Sequence, residues 1–105
     1  MTAKTRKQTI EDMLIDQPDD PELHYMLAME HVSAGDDAEA VRRFEKLVAL
    51  APTHAAGHHQ AGRALQRLGR ATEAGDWLKR GIAAAIKQGD DHAASEMQQL
   101  LEMLE

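Results

Sequence analysis

The residues that could carry chemistry in this chain are six histidines and a number of paired carboxylates, and there is no cysteine. His54, His58 and His59 are close together, and i, i+4 spacing such as that of His54 and His58 can place two zinc ligands on one helical face. His54 is predicted to precede its helix, however, and no HExxH pattern accompanies the pair. We therefore expect packed or exposed histidines, no metal site and no cofactor.

Groups that could act in catalysis are equally scattered. Ser33 and Ser95 fall in predicted helices without an evident base, and neither a GxSxG nor a GxGxxG motif occurs. Three aspartate pairs fall at predicted helix starts or turns: Asp19-Asp20, Asp36-Asp37 and Asp90-Asp91. Helix capping explains all three. No set of residues converges on one reaction, so the sequence predicts that this protein is not an enzyme.

Composition narrows the fold class and the kind of partner. Hydrophobic residues make up 43% of the 105 residues, with one Phe, one Trp and one Tyr, which favours an all-α domain built from alanine, leucine and methionine. A net charge of −6 disfavours nucleic-acid binding. No apolar run is long enough for a membrane span, no secretory signal is present, and the lack of cysteine fits a cytoplasmic protein.

The elements that position these residues follow a repeat of thirty-four residues. Proline, histidine, glycine and large apolar positions recur at this spacing: Pro18 with Pro52, His24 with His58, Gly35 with Gly69, and Ile10 with Phe44 and Leu78. Gly35 and Gly69 each end an apolar-periodic stretch, where a helix needs a residue that tolerates positive φ. Each unit is therefore predicted to be a helix, a tight turn and a second helix.

A helical hairpin of this length resembles the tetratricopeptide repeat. The first unit matches the family pattern at Leu27, Ala28, Gly35, Ala40, Phe44 and Pro52, and the second matches at Ala61, Gly62, Gly69, Ala74 and Leu78. His24 and His58 replace the usual tryptophan, and Ile86 replaces the final proline, so the second unit's last helix is expected to run to about Lys87. The resemblance implies a right-handed α–α superhelix of about six antiparallel helices.

The expected organisation is a single domain with flanking half units. We predict a flexible N-terminus at 1–7, a half repeat at 8–17, full repeats at 21–54 and 55–88, and a capping helix at 90–104. Trp77 is expected to pack against that capping helix, with exposure on the convex surface as the alternative.

The resemblance also indicates which helical face could bind a partner. The family packs one face of each first helix inward and turns the opposite face toward a concave groove. The predicted groove residues are Tyr25, Met26, Met29, His59, Gln60, Arg63, Arg67 and Met97. Methionines suit an adaptable apolar contact, and Arg63 and Arg67, with Arg70 one turn on, suit a carboxylate.

The sequence thus predicts a protein–protein interaction module, an adaptor or assembly factor, that binds a peptide segment of an unidentified protein. The alternative is a self-associating scaffold, weakly dimeric through the apolar residues of the capping helix: Met97, Leu100, Leu101, Met103 and Leu104. The simpler interpretation of the predicted groove residues is that the arginines lie on a solvated face, near a helix C-terminus that favours cations.

Overall fold

The computed structural model describes residues 3–104, which form six α-helices and no strands. The helices are α1 (Arg6–Asp16), α2 (Pro21–Ser33), α3 (Asp37–Leu50), α4 (Ala55–Arg67), α5 (Ala71–Lys87) and α6 (Asp91–Leu104). Each helix packs against the next along the chain, and α4 also contacts α6. The result is an elongated array, with principal extents of 49 × 28 × 20 Å.

Short polar side chains determine where most helices begin. Thr5 caps α1 in a reciprocal capping box with Gln8, so α1 begins two residues before the predicted half repeat and includes residues 6 and 7 of the predicted flexible segment. Residues 1 and 2 lie outside the described residues. Asp20 and Asp36 cap α2 and α3, and the Asp90 side chain accepts from the Ala93 N–H at 3.0 Å. The predicted capping role of one aspartate in each pair is confirmed.

Three turns share one geometry. Gly35, Gly69 and Gly89 have φ values of 78°, 76° and 75°, the left-handed conformation expected after a helix C-terminus. At the first turn the Asp36 N–H donates to the His31 carbonyl at 2.9 Å, and the other two turns repeat this bond. These bonds satisfy some of the carbonyl groups that a helix end leaves free, and each turn then leads into the next helix.

The inward faces of the first helices are buried as the spacing predicts: His24, Leu27, Ala28 and His31 on α2, and His58, Ala61, Gly62 and Leu65 on α4. Trp77 is buried, with 7% of its surface exposed, so the convex-surface alternative is wrong. It belongs to a cluster drawn from α2 to α5, and its ring lies 5.6 Å from that of His58. Its aromatic neighbour is therefore on α4, and Leu104 of the capping helix packs against the same cluster.

Candidate functional site

The predicted groove begins on α2 with three half-buried side chains. The Tyr25 ring packs 6.3 Å from the Phe44 ring and 5.1 Å from the His54 ring, so one side of the phenol faces the core and the start of α4. Burial, with a smaller effect of the nearby Glu22, raises the pKa of Tyr25. Met29 packs against the main core cluster while keeping part of its surface exposed. This part of the face offers apolar surface on a fixed support.

The α4 part of the face is polar and contains an arginine with no ionic partner. His59 and Gln60 are half-buried, and Arg63 is exposed. Burial lowers the pKa of His59, the charge of Arg63 lowers it further, and Glu96 of α6 opposes the shift. No carboxylate oxygen of residues 3–104 lies within 4.0 Å of an Arg63 nitrogen. Arg63 is thus a cation that the described part of the chain leaves uncompensated.

The other two arginines of the predicted stripe are already paired. Arg67 forms two parallel bonds to the carboxylate of Asp37, with N···O distances of 2.9–3.1 Å. Arg70 forms a similar pair with Glu73 at 2.7–3.0 Å. A bidentate carboxylate satisfies the planar donor edge that would otherwise recognise a ligand. The stripe therefore reduces to Arg63, and Arg67 joins α4 to the start of α3.

Met97 is the predicted groove residue that the structure contradicts. Its side chain is fully buried, against Gly81 of α5. The error has a physical cause. Thirty-four residues separate the helix-capping residues Asp20 and His54, whereas thirty-six separate His54 and Asp90, because α5 has 17 residues and α3 has 14. A shift of two residues rotates a helix by about 200°, which turns Met97 inward and leaves His92, Ser95 and Glu96 exposed.

Three of the histidines, His24, His54 and His58, make hydrogen bonds to other parts of the fold. The His54 Nδ1 accepts from the Gly57 N–H at 3.0 Å and caps α4, so its Nε2 carries the proton that is donated to Glu22 at 2.9 Å. The His24 Nε2 lies 2.7 Å from the Pro18 carbonyl. Within residues 3–104 no group of three histidine, aspartate or glutamate side chains has an arrangement suited to a metal ion. His54 thus connects α2 to α4, a role that the sequence did not predict.

His58 is almost completely buried at 3% exposure, and its Nδ1 donates to the His54 carbonyl at 2.9 Å. Burial lowers its pKa, and the neighbouring Arg80 and His54 lower it further against the opposing effect of that hydrogen bond. Both His58 and His59 therefore remain neutral in the folded protein at a pH where an ordinary histidine becomes charged.

We expect the protein to lose stability as the pH falls from about 7 to about 5. The unfolded chain takes up protons near the ordinary histidine pKa of 6.5, whereas folded His58 and His59 do so only at lower pH, so acid favours the unfolded state. Urea denaturation at several pH values measures this slope, and His58→Gln should reduce it. The pKa of Glu39 is lowered from its ordinary value of 4.5, mainly by the hydrogen bond that it accepts from Arg42. Protonation of Glu39 therefore affects stability only below the pH range of this experiment. A free energy of unfolding that is constant across the range would contradict the prediction.

None of the helices in residues 3–104 combines the length and the apolar character that crossing a membrane would require.

Comparison with known proteins places this geometry in a family. A tetratricopeptide repeat-containing protein of Pseudomonas aeruginosa, PA0015, is 30% identical over 96 residues, covering 91% of each chain. This chain belongs to the tetratricopeptide-repeat family. A tetratricopeptide repeat domain protein of Salinibacter ruber, solved by NMR, superposes with a TM-score of 0.78 at 32% identity, covering 84% of this chain and 89% of that one. No protein-family profile matches the sequence.

The tetratricopeptide fold extends to more distant structures. PcrH, solved in complex with the chaperone binding region of PopD, superposes with a TM-score of 0.89 at 15% identity, covering 93% of this chain and 74% of PcrH. At that identity the likeness concerns the fold. The all-α solenoid expected from the repeat pattern is thereby confirmed.

Proposed function

We propose that this tetratricopeptide-repeat chain is a protein–protein interaction module that binds a peptide segment of a partner across α2 and α4. The observation that carries the proposal is the exposed Arg63, which has no carboxylate partner among residues 3–104 and lies in the middle of a face that also carries partly exposed methionines. Met29 and Arg63 occupy the same position in successive units, on the first helix of each, so they belong to the same face of the array. A bound segment could therefore contact both with neighbouring side chains.

Each groove residue has a specific role in this proposal. Met26 and Met29 would contact an apolar side chain, since flexible thioethers adapt to different shapes. Arg63 would bind a carboxylate through its planar donor edge. His59 and Gln60, which are half-buried on the same helix, would supply polar contacts between the two. Tyr25 would provide the rigid aromatic end of the face, because His54 and Phe44 hold its ring. Arg67 would remain paired with Asp37 and hold α4 against the start of α3.

Support from outside this chain comes from PcrH, which has the same fold and was solved with a segment of PopD bound. A helical array of this kind can therefore hold a polypeptide segment. The face of the present chain would suit a partner segment that has one apolar side chain with an acidic group nearby.

We expect the double variant Met29→Glu, Arg63→Glu to bind its partner at least about tenfold more weakly, since it places two carboxylates where the ligand needs an apolar contact and a cation. The measurement is affinity capture from lysate of the source organism, followed by titration of the captured partner. Lys79→Glu, an exposed charge reversal on α5, is the matched control. Equal binding by the double variant and the control would refute groove binding.

The alternative, self-association through α6, has less surface available than its sequence suggests. Met97 and Leu101 are buried, Leu100 and Leu104 are half-buried against the core, and Met103 remains 74% exposed. Sedimentation of the wild type and of Met103→Glu distinguishes the alternatives. A dimer that dissociates on this substitution would favour self-association, and a monomer in both would favour a free groove.

A further inference from the structure

The layer opposite the proposed groove contains a cavity between α3 and α5. Its volume is about 350 Å³, at the lower end of the range for ligand pockets. Val48, Pro52 and Ala83 contribute apolar walls, His58 is the buried polar side chain among its lining residues, and Arg80 and Lys87 contribute two cations. The Gln88 Nε2 donates to the Thr53 carbonyl at 2.8 Å, which joins the end of α5 to the α3–α4 loop beside the cavity. The cavity is therefore held open by the fold.

A second cavity, of about 230 Å³, lies one unit earlier in the chain. Its residues Pro18, His24, Lys46 and Ala49 are related to Pro52, His58, Arg80 and Ala83 by the repeat spacing. The cavity is thus a property of the unit, built where a proline loop passes over a buried histidine. The two cavities differ in charge and in volume.

Charge distinguishes the two copies. The smaller cavity carries the carboxylate of Asp19 where the larger has Thr53, and Leu50 where the larger has Ala84. The larger cavity has no carboxylate among its lining residues. In the part of the chain that the structure describes, no carboxylate lies within 4.0 Å of Arg80 or Lys87. A pair of unneutralised cations is notable in a chain with a net charge of −6.

The Arg80 guanidinium is also fixed in position. Its central carbon lies 4.7 Å from the centre of the Trp77 ring, a cation–π contact that restrains a side chain that would otherwise be mobile. Lys87 lies seven residues further along α5, which puts both cations on one side of that helix. The cavity therefore presents apolar walls with positive charge beside them.

We propose that this convex cavity is a second binding site, which takes an acidic peptide segment of a partner protein: an apolar side chain enters between Pro52 and Ala83, and a neighbouring carboxylate pairs with Arg80 and Lys87. The site is on the layer opposite α2 and α4 and does not depend on the groove. It would let one small array contact two segments at once, or one segment that wraps around its edge.

Selection from a library of short random peptides without tryptophan tests the proposal. Because the proposed groove takes ligands of the same chemistry through Arg63, the protein used in the selection carries Arg63→Gln. It should enrich peptides with acidic residues next to apolar ones, and binding should change the fluorescence of Trp77, the one tryptophan of the chain. The double variant Arg80→Gln, Lys87→Gln keeps the side-chain stems and should bind the enriched peptides at least about tenfold more weakly. Lys46→Gln in the equivalent cavity should retain binding.

The single variant Lys87→Gln controls for misfolding of the double variant. Lys87 is exposed and has no ionic partner among residues 3–104, so its replacement should leave the fold intact. It should retain the helical circular dichroism of the wild type and still bind more weakly. The proposal is overturned if no acidic peptides are enriched, or if the cavity variants bind them as the parent protein does.

Discussion

Phe44→Ala is expected to reduce the free energy of unfolding by about 3–5 kcal/mol. Phe44 is the one phenylalanine of the chain and is fully buried in the cluster that joins α2 to α5. Truncation removes the apolar surface that the ring buries, and it also leaves a cavity that the surrounding helices fill only partly. The Tyr25 ring, 6.3 Å away, loses one of its two aromatic neighbours. Urea or thermal denaturation followed by circular dichroism measures the loss.

Two control variants test whether the loss of stability is specific to the buried ring of Phe44. Leu50→Ala, at a site that is 40% exposed, should cost about 1 kcal/mol or less. Phe44→Leu copies the residue that the next unit uses at the same position, Leu78, and should cost less than Phe44→Ala because it leaves less empty volume. A loss for Phe44→Ala no larger than that for Leu50→Ala would mean that Phe44 is not central to the core.

Gly81→Ala is expected to destabilise the fold by about 1–3 kcal/mol, although alanine favours a helix interior by about 1 kcal/mol over glycine. A Cβ atom at this position would lie 2.6 Å from the Met97 sulfur and 2.7 Å from the His58 Cβ. The methionine can move, but the histidine Cβ is bonded directly to the backbone of α4. Its helix would have to shift, because α4, α5 and α6 meet at Gly81.

Gly75→Ala is the matched control for Gly81→Ala, since both glycines are inside α5. The added methyl group at Gly75 would make an ordinary contact of 3.6 Å with Leu101. Helix propensity should therefore dominate, and the variant should gain about 0.5–1 kcal/mol. Denaturation curves of the two variants should thus shift in opposite directions. If both shifted to higher stability, close packing at Gly81 would be excluded.

The repeat pattern was sufficient to predict the helices and the inward faces of α2 and α4, because local periodicity determines both. Leu27 and Ala28 on α2, and Ala61 and Leu65 on α4, are buried as their spacing requires. Gly35 and Gly69 end helices as predicted, since the left-handed conformation is set by the local chain. The end of α5 at Lys87 also agrees with the missing proline.

The side-chain pairings were not predictable in the same way, because they depend on distances between helices. Arg67 pairs with Asp37, thirty residues earlier, which no local pattern reveals. The burial of Met97 depends on the added length of α5, which shifts the register of α6 by two residues. Arg80 could have been noticed from its i, i+3 spacing to Trp77 on one helix. The proposed groove itself remains a prediction.

Most glycines of this chain are constrained in one of two ways, and the difference determines which substitutions each position can accept. At the turn glycines, such as Gly35, an added Cβ would meet nothing within 4 Å, so the constraint is conformational alone. Asparagine could replace such a glycine for about 1–2 kcal/mol. Gly62 and Gly81 adopt ordinary helical angles, and there neighbouring side chains leave no room for a substituent. The turn glycines that mark the repeat in the sequence can therefore be replaced at moderate cost, whereas Gly62 and Gly81, within the helices, cannot be replaced without moving their neighbours.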